Sequence, residues 1–394
     1  MKIALVCPAS LPATQFGGIM FLCVDIAKES SKIGNETIIF STDLDFANNA
    51  KTFNKKLPRL EKIYNFKINR THTWLSYNLF FINPQIYFEI KHFHPDVIHT
   101  IGVRSFQSFM AALVSKNQKI PLIISDQGGL TTHPDLNSSN MIRKFLYKIQ
   151  QPMINFIIKQ ATKVIVANEY EKKIFEKFCD SNKITIIRNG IDLEIQNSKL
   201  VDIKDKFKIA HSYILFLGRF HSVKGIDILL NSINSIRNNP AFSKVQLVIM
   251  GVDFGFQSQM LKMIKEMNLN DKVIVIKNPT RVEVLSAYHE CQFLVLPSRW
   301  ELSPLTPLEG FAFKKPVIST TSHGIPFTVK HGENALLIES EDFEQLGESI
   351  IFLLKNKKKC IELGENGFNL VKNECNSQIM CGKILNLYKE IINR

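Results

Sequence analysis

Short, uninterrupted runs of Val, Ile and Leu recur along this chain with helical or loop sequence between them, and that rhythm limits the fold more than any other feature. In the N-terminal half the runs are Lys2–Cys7, Thr37–Phe40, Val97–Thr100, Leu122–Ser125, Val164–Ala167 and Thr185–Ile187. Strands apolar on both faces belong in a parallel sheet covered on each side by helices. A first helix is legible as well: Ile19, Met20, Leu22, Cys23, Ile26 and Ala27 share one face before Gly34 ends it. A doubly wound α/β domain is predicted.

The rhythm stops around Arg188–Asn189–Gly190–Ile191–Asp192. Residues 193–210 are polar, poor in strand formers, and read as a linker. Alternation then restarts with Tyr213–Leu217, a helix over Gly225–Ile236, then Gln246–Met250, Lys272–Ile276, Phe293–Leu296, Pro316–Ser319 and Ala335–Ile338. The chain of 394 residues therefore divides into two doubly wound domains, 1–195 and 205–377. An amphipathic helix closes the sequence over 378–394, with Ile379, Ile384, Leu385, Leu387, Tyr388 and Ile392 as its apolar positions. Two such domains imply a cleft, and open α/β sheets bind ligands beyond the carboxyl ends of their strands. Chemistry is expected at the strand-to-loop junctions.

With 45% hydrophobic and 22% charged residues the chain buries real cores. No apolar run approaches the ~18–20 residues of a membrane-spanning helix. The first strand follows Met1–Lys2 directly, so no signal peptide is expected. Seven cysteines without a C-x-x-C pair predict neither a disulfide framework nor a zinc knuckle, and a cytoplasmic, reducing location.

Three segments carry candidate chemistry. In Pro297–Ser319, Thr306–Pro307–Leu308–Glu309 has the form of a capping box, with a helix expected from Pro307 and free N–H groups offered to a phosphate. A capping Glu309 needs no ligand to justify it. Glu301, in the loop before that helix, has no such structural duty, although loop acids are ordinarily just solvated. In Leu217–Gly225, Arg219 and Lys224 project from one short loop with a glycine at each end, suited to a diphosphate or simply solvated. Gly17–Gly18 opens the first helix and allows close backbone approach; a nicotinamide-type G-x-G-x-x-G is absent.

Taken together, Glu301 and Glu309, Gly218–Arg219 with Lys224–Gly225, Arg188–Asn189–Gly190–Ile191–Asp192, Gly17–Gly18 and His323–Gly324–Ile325–Pro326 resemble the motif set of the retaining glycosyltransferases of family 4 (glycosyl transferases group 1). The resemblance runs over nearly the whole chain. It implies the GT-B architecture, two facing Rossmann-like domains with a C-terminal helix that returns to the first, and a metal-independent enzyme with no bound cofactor. Its substrates would be a nucleotide-diphosphate sugar and a hydroxyl of a glycan or lipid-linked acceptor, in cell-surface polysaccharide or glycoconjugate synthesis.

By the same resemblance, Arg219 and Lys224 would neutralise the donor diphosphate, Glu309 would hold the ribose, and Glu301 would bind hydroxyls of the transferred sugar. Backbone N–H groups around Ser303, Leu305 and Thr306 would hold phosphate oxygens, Gly17 and Gly18 would close over the diphosphate, and Asn278 would line the base pocket. Gly251, after a buried strand, would line the donor site or merely make a turn. Where the family often has His-Gly facing the sugar, this chain has Gln127, which hydrogen-bonds a hydroxyl but carries no proton near neutral pH. The expected chemistry is electrostatic stabilisation of a departing diphosphate, without a glycosidase-type carboxylate dyad.

Other features are expected to be structural. Asp43–Leu44–Asp45 reads as a solvated turn, and His92, His94 and His99 fit no zinc spacing. Residues 51–163 hold sixteen Lys/Arg against five Asp/Glu, a surplus of eleven out of the chain's net +13. There Met141–Gln160 is a basic amphipathic helix that Pro152 kinks or splits; it either lies on an anionic membrane surface or packs as an ordinary helix. Nothing in the sequence reads nucleic acid. Two other readings of the same fold are a nucleotide-sugar epimerase, which the Gln127 position disfavours, and a non-catalytic nucleotide-sugar-binding subunit.

Overall fold

The computed structural model describes residues 1–45, 52–77, 79–126, 130 and 141–393. It divides into two compact units: Met1–Gly190 with Ser377–Arg394, and Ile191–Asn376.

The strands of the first unit are β1 (Lys2–Val6), β2 (Glu36–Thr42), β3 (Leu44–Asp45), β4 (Thr52–Phe53), β5 (Leu60–Ile63), β6 (Phe66–Thr71), β7 (Leu75–Tyr77), β8 (Phe80–Ile82), β9 (Val97–Ile101), β10 (Leu122–Ser125), β11 (Lys163–Val166) and β12 (Ile184–Ile186). Eight of them form one sheet in the order β12-β11-β10-β9-β1-β2-β6-β5. All its pairings are parallel except β5 with β6. The helices are α1 (Gly18–Lys32), α2 (Ile86–Phe93), α3 (Phe106–Gln118), α4 (Met141–Gln160) and α5 (Glu169–Phe175). Ile3, Leu5, Ile39 and Val97 of the sheet pack with Leu22, Cys23 and Ile26 of α1. Met380, Ile384, Leu385 and Tyr388 of the terminal helix Ser377–Ile392 join the same cluster, so the chain's end belongs to its first unit, as predicted.

Several expectations for this unit change. β6 was hidden because Lys67, Asn69 and Arg70 interrupt its apolar pattern. Buried Arg70 donates from its two Nη groups to the carbonyls of Pro58 and Leu11 and to Glu61. Asp43 is no solvated turn: it is buried, because His72 and the Thr73 N–H engage its carboxylate. α4 runs unbroken through Pro152, and its Ile154, Ile157 and Ile158 are buried. His99 is a core residue on β9, with Nδ1 at 2.5 Å from Tyr388 OH and Nε2 at 2.7 Å from Ser125 Oγ. Burial lowers its pKa to about 3.

The second unit has β13 (Ser212–Leu217), β14 (Val245–Gly251), β15 (Val273–Lys277), β16 (Leu294–Leu296), β17 (Val317–Thr320) and β18 (Ala335–Ile338), all parallel, in the order β15-β14-β13-β16-β17-β18. The order reverses between β13 and β16, the switch point beside which such sheets bind ligands. The predicted linker is instead fastened structure. Leu193–Asn197 is a 3-10 turn and α6 (Ile203–Phe207) a short helix, with Ile203 and Ile209 buried in the second core. The Val201 N–H donates to Ser286 Oγ at 2.9 Å, so polar composition here marks a surface strap.

Candidate functional site

At the carboxyl end of β13, Gly218 and Gly225 bracket the loop that carries Arg219 and Lys224. A Cβ on Gly225, whose φ is +66°, would sit 2.0 Å from the Pro297 carbonyl oxygen; one on Gly251 would sit 1.8 Å from that of Gly218. These glycines let three strand-end loops lie against one another. After β13 comes α7 (Ile226–Ile236), and after β16 comes the loop with Glu301.

Lys224 Nζ and Glu301 Oε1 form an ion pair there, with the side chains 16% and 19% exposed. Both line a small pocket with Ser298, Pro304, Thr306 and Ser319. Arg219 does not line it; its guanidinium stands 5.1 Å over the ring of Phe254. Gly251 leads into a turn where Asp253 Oδ1 accepts the N–H groups of Gly255, Phe256 and Gln257, and the Gly251 carbonyl accepts the Asn278 N–H at 2.8 Å. Asn278 itself holds a left-handed φ of +51° just past β15.

After β15 the chain forms α9 (Arg281–Glu290), preceded in this unit by α8 (Gln257–Glu266). A capping box does occur, but on α9, between Thr280 and Glu283. The one expected at Thr306 and Glu309 does not form. α10 (Leu305–Ala312) starts two residues earlier than predicted, with Pro304 as an N-cap that supplies no side-chain bond. Pro307 falls inside the first turn, where a missing N–H costs nothing. Glu309 is drawn away: Arg281 Nη2 donates to Oε1 at 2.7 Å and Tyr288 OH donates to Oε2 at 2.9 Å. Burial, reinforced by the Glu309 carboxylate, pushes the Tyr288 phenol well up. The first turn of α10, beside Ser303, Leu305 and Thr306, thus lacks a side-chain cap and retains its partial positive charge.

Sequence reasoning missed Arg299, which fastens the Glu301 loop. Its guanidinium reaches Asp227 at 2.7 and 2.8 Å, Glu341 at 2.6 and 2.8 Å, and the Ser222 carbonyl at 2.7 Å. Gly324 is the second fastener. Its N–H donates to the Glu301 carbonyl at 2.9 Å, and a Cβ there would meet the Leu302 carbonyl oxygen at 1.7 Å. Burial lowers the neighbouring His323, against a hydrogen bond to the Arg299 backbone.

Gly17 and Gly18 belong to the first unit. Gly17 has a φ of +97° and precedes α1, with open space where a Cβ would go, so its backbone conformation alone calls for glycine. Gln127 lies outside the described residues. Among the described residues no three acidic, His or Cys groups gather as metal ligands, and no helix is long and apolar enough to cross a membrane.

A cation, an uncapped helix start and a carboxylate around one pocket suit an anionic ligand with a hydroxylated neighbour. Residues 202–370 match the family model described as Glycosyl transferases group 1, and residues 16–195 match that of Glycosyltransferase Family 4. The chain is similar to an uncharacterised glycosyltransferase of Methanocaldococcus jannaschii, 29% identical over 274 residues, 66% of each chain. It is also similar to the UDP-Gal:alpha-D-GlcNAc-diphosphoundecaprenol alpha-1,3-galactosyltransferase of Escherichia coli, 24% identical over 290 residues, covering 70% of this chain and 72% of that one. It spans 54% and 60% of the length of two further bacterial relatives. Among solved structures, Anabaena Alr3699/HepE in complex with UDP-glucose superposes with a TM-score of 0.76 at 17% identity, over 99% of this chain and 100% of that one. That likeness concerns the fold.

Proposed function

This chain belongs to the GT-B glycosyltransferases of group 1 and family 4, and from that premise we propose that it moves a sugar from a nucleoside diphosphate to a hydroxyl of a glycan or lipid-linked acceptor. The transfer is retaining, needs no metal, and takes place on the cytoplasmic side of a membrane. The observation that carries the reading is the Lys224–Glu301 pair beside the uncapped start of α10.

Breaking a sugar–phosphate bond builds positive charge on the sugar and negative charge on the departing diphosphate. Lys224 and the N–H groups at Leu305 and Thr306 are fixed in place before the reaction, so stabilising that negative charge requires little rearrangement. Arg219, on the same loop as Lys224, adds a second cation. Glu301 accepts hydrogen bonds from hydroxyls of the transferred sugar, and Glu309, held by Arg281 and Tyr288, accepts them from the ribose. The backbone at Asn278 borders the base. The leaving phosphate takes the acceptor proton, which leaves no side chain to act as a general base. The E. coli relative acts, by its name, on a diphospholipid-linked sugar, which supports an acceptor of that class. The cationic surplus of residues 51–163 favours an anionic membrane surface near such an acceptor.

The test is nucleotide release from a panel of nucleoside-diphosphate sugars, with membrane extract as the acceptor source. Acceptor-dependent release is expected from one donor, and its loss in Lys224→Ala. A donor converted to an isomer without acceptor would overturn the reading in favour of an epimerase.

A further inference from the structure

Asp43 and His72 stand one residue beyond the carboxyl ends of two neighbouring parallel strands, β2 and β6, whose last residues Thr42 and Thr71 pair in register. His72 Nδ1 lies 2.5 Å from Asp43 Oδ2, and Asp43 Oδ1 accepts the Thr73 N–H at 3.0 Å. The carboxylate is buried and its main chain is anchored, since the Asp43 carbonyl accepts the Asn54 N–H at 2.8 Å. Leu44 beside it packs with Ala9, Ala13 and Phe81. A fixed carboxylate therefore fixes an imidazole whose side chain is 37% exposed. Among the described residues Nε2 has no hydrogen-bond partner.

With Nδ1–H donated to Asp43, Nε2 is left to form a hydrogen bond with an O–H group. The next residues form the hairpin β7–β8, closed by the Trp74 N–H on the Ile82 carbonyl at 2.9 Å. It leaves Trp74 69% and Tyr77 50% exposed. Leu75 of the same hairpin is 63% exposed as well, and exposed apolar side chains that gather in one place mark binding surfaces more than scattered ones do. Aromatic faces pack against the C–H face of a pyranose, and an oriented imidazole takes a neighbouring hydroxyl. Both stand at the carboxyl end of the sheet, where such folds bind their ligands.

We infer that His72, positioned by Asp43, recognises a hydroxyl of a saccharide on the first unit. That this saccharide is the acceptor rests on the transferase reading; the binding itself does not.

Two readouts keep these apart. The imidazole nitrogens of the 15N-labelled full chain are followed by NMR during titration with the methyl glycosides of glucose, galactose, mannose and N-acetylglucosamine. At least one glycoside is expected to shift His72 Nε2, and Asp43→Asn, checked for an unchanged thermal melt, is expected to lose that shift. No shift with any of the four overturns the inference, whatever the chain catalyses. In transfer assays, His72→Phe is expected to raise the acceptor KM about tenfold or more, roughly one hydrogen-bonded hydroxyl, with the donor KM unchanged, and His72→Gln to recover part of it. An unchanged acceptor KM in His72→Phe overturns the assignment of that saccharide as the acceptor. A wild type that releases no nucleotide from any donor sinks the transferase reading alone and leaves the NMR result to decide the site.

Discussion

Lys224 and Glu301, seventy-seven residues apart, meet as an ion pair between the loops that follow β13 and β16. Each is four-fifths or more buried, so removing either leaves the other as an uncompensated charge. Lys224→Ala and Glu301→Ala are each expected to lower kcat/KM for nucleotide release by about a hundredfold, the scale of losing one preorganised stabilising group. The double variant is expected to be little worse than the poorer single one, because the two act as a unit. Steady-state kinetics on the three variants decides this. Losses that multiply would show two independent contributions.

Arg281 governs how Glu309 is presented, since it occupies one carboxylate oxygen while Tyr288 occupies the other. Arg281→Ala leaves a buried carboxylate with a single phenol donor. The expected result is a rise in donor KM of about tenfold with a much smaller change in kcat, because ribose binding is uniform between ground and transition states. Arg281→Lys should retain charge but not the directed Nη2 contact, and fall between the two. Equal loss of kcat and kcat/KM would instead place Glu309 at the reacting centre.

Much of the fold was legible because its signal is local: β1, β9, β10, β13 and β14 are short runs dominated by apolar residues, and the terminal helix keeps its amphipathic spacing. β6 was not, because buried Arg70 is neutralised by partners that only tertiary structure brings near. The site divides in the same way. Lys224 and Glu301 were nameable from loop position, but their pairing, the Arg299 clamp on Asp227 and Glu341, and the Gly324 hydrogen bond all join segments distant in sequence. The Thr306–Glu309 capping box failed for that reason: a locally adequate pattern lost to Arg281 and Tyr288, which lie more than twenty residues away in sequence or arrive from a packed helix.

Gly225 and Gly332 separate two uses of a left-handed backbone. Both have positive φ, +66° and +74°, but a Cβ at Gly225 would strike the Pro297 carbonyl oxygen at 2.0 Å, whereas at Gly332 it would meet nothing within 4 Å. Gly332→Ala is expected to cost about 1 kcal/mol, the penalty of the conformation alone. Gly225→Ala must also displace the backbone leading to Glu301, and is expected to cost upwards of about 3 kcal/mol and to abolish turnover. Urea unfolding of both variants measures the difference; equal costs would mean that the loop yields.

Two buried groups of the first unit oppose each other in pH. Burial lowers His99 from 6.5 to about 3, so the unfolded chain takes a proton that the folded one refuses. Its contribution is complete above pH 6.5 and is lost as pH falls from 6.5 towards 3. Burial, with a smaller push from the Asp126 carboxylate and against a hydrogen bond from the Ala167 N–H, raises Glu171 from 4.5 to about 8. Here the folded chain keeps a proton that the unfolded one releases, so the contribution is complete below pH 4.5 and is lost as pH rises from 4.5 towards 8. Each slope has a limit of about 1.4 kcal/mol per pH unit. The windows overlap between 4.5 and 6.5, where the two slopes cancel. Between pH 6.5 and 8 Glu171 acts alone. Glu171→Gln is therefore expected to gain stability relative to the wild type as pH rises through that interval, and to show no such gain below pH 4.5. His99→Gln should flatten the acid limb instead. Unfolding free energies at a series of pH values test both, and a Glu171→Gln difference that does not change with pH would show that this carboxyl is ionised in the folded chain.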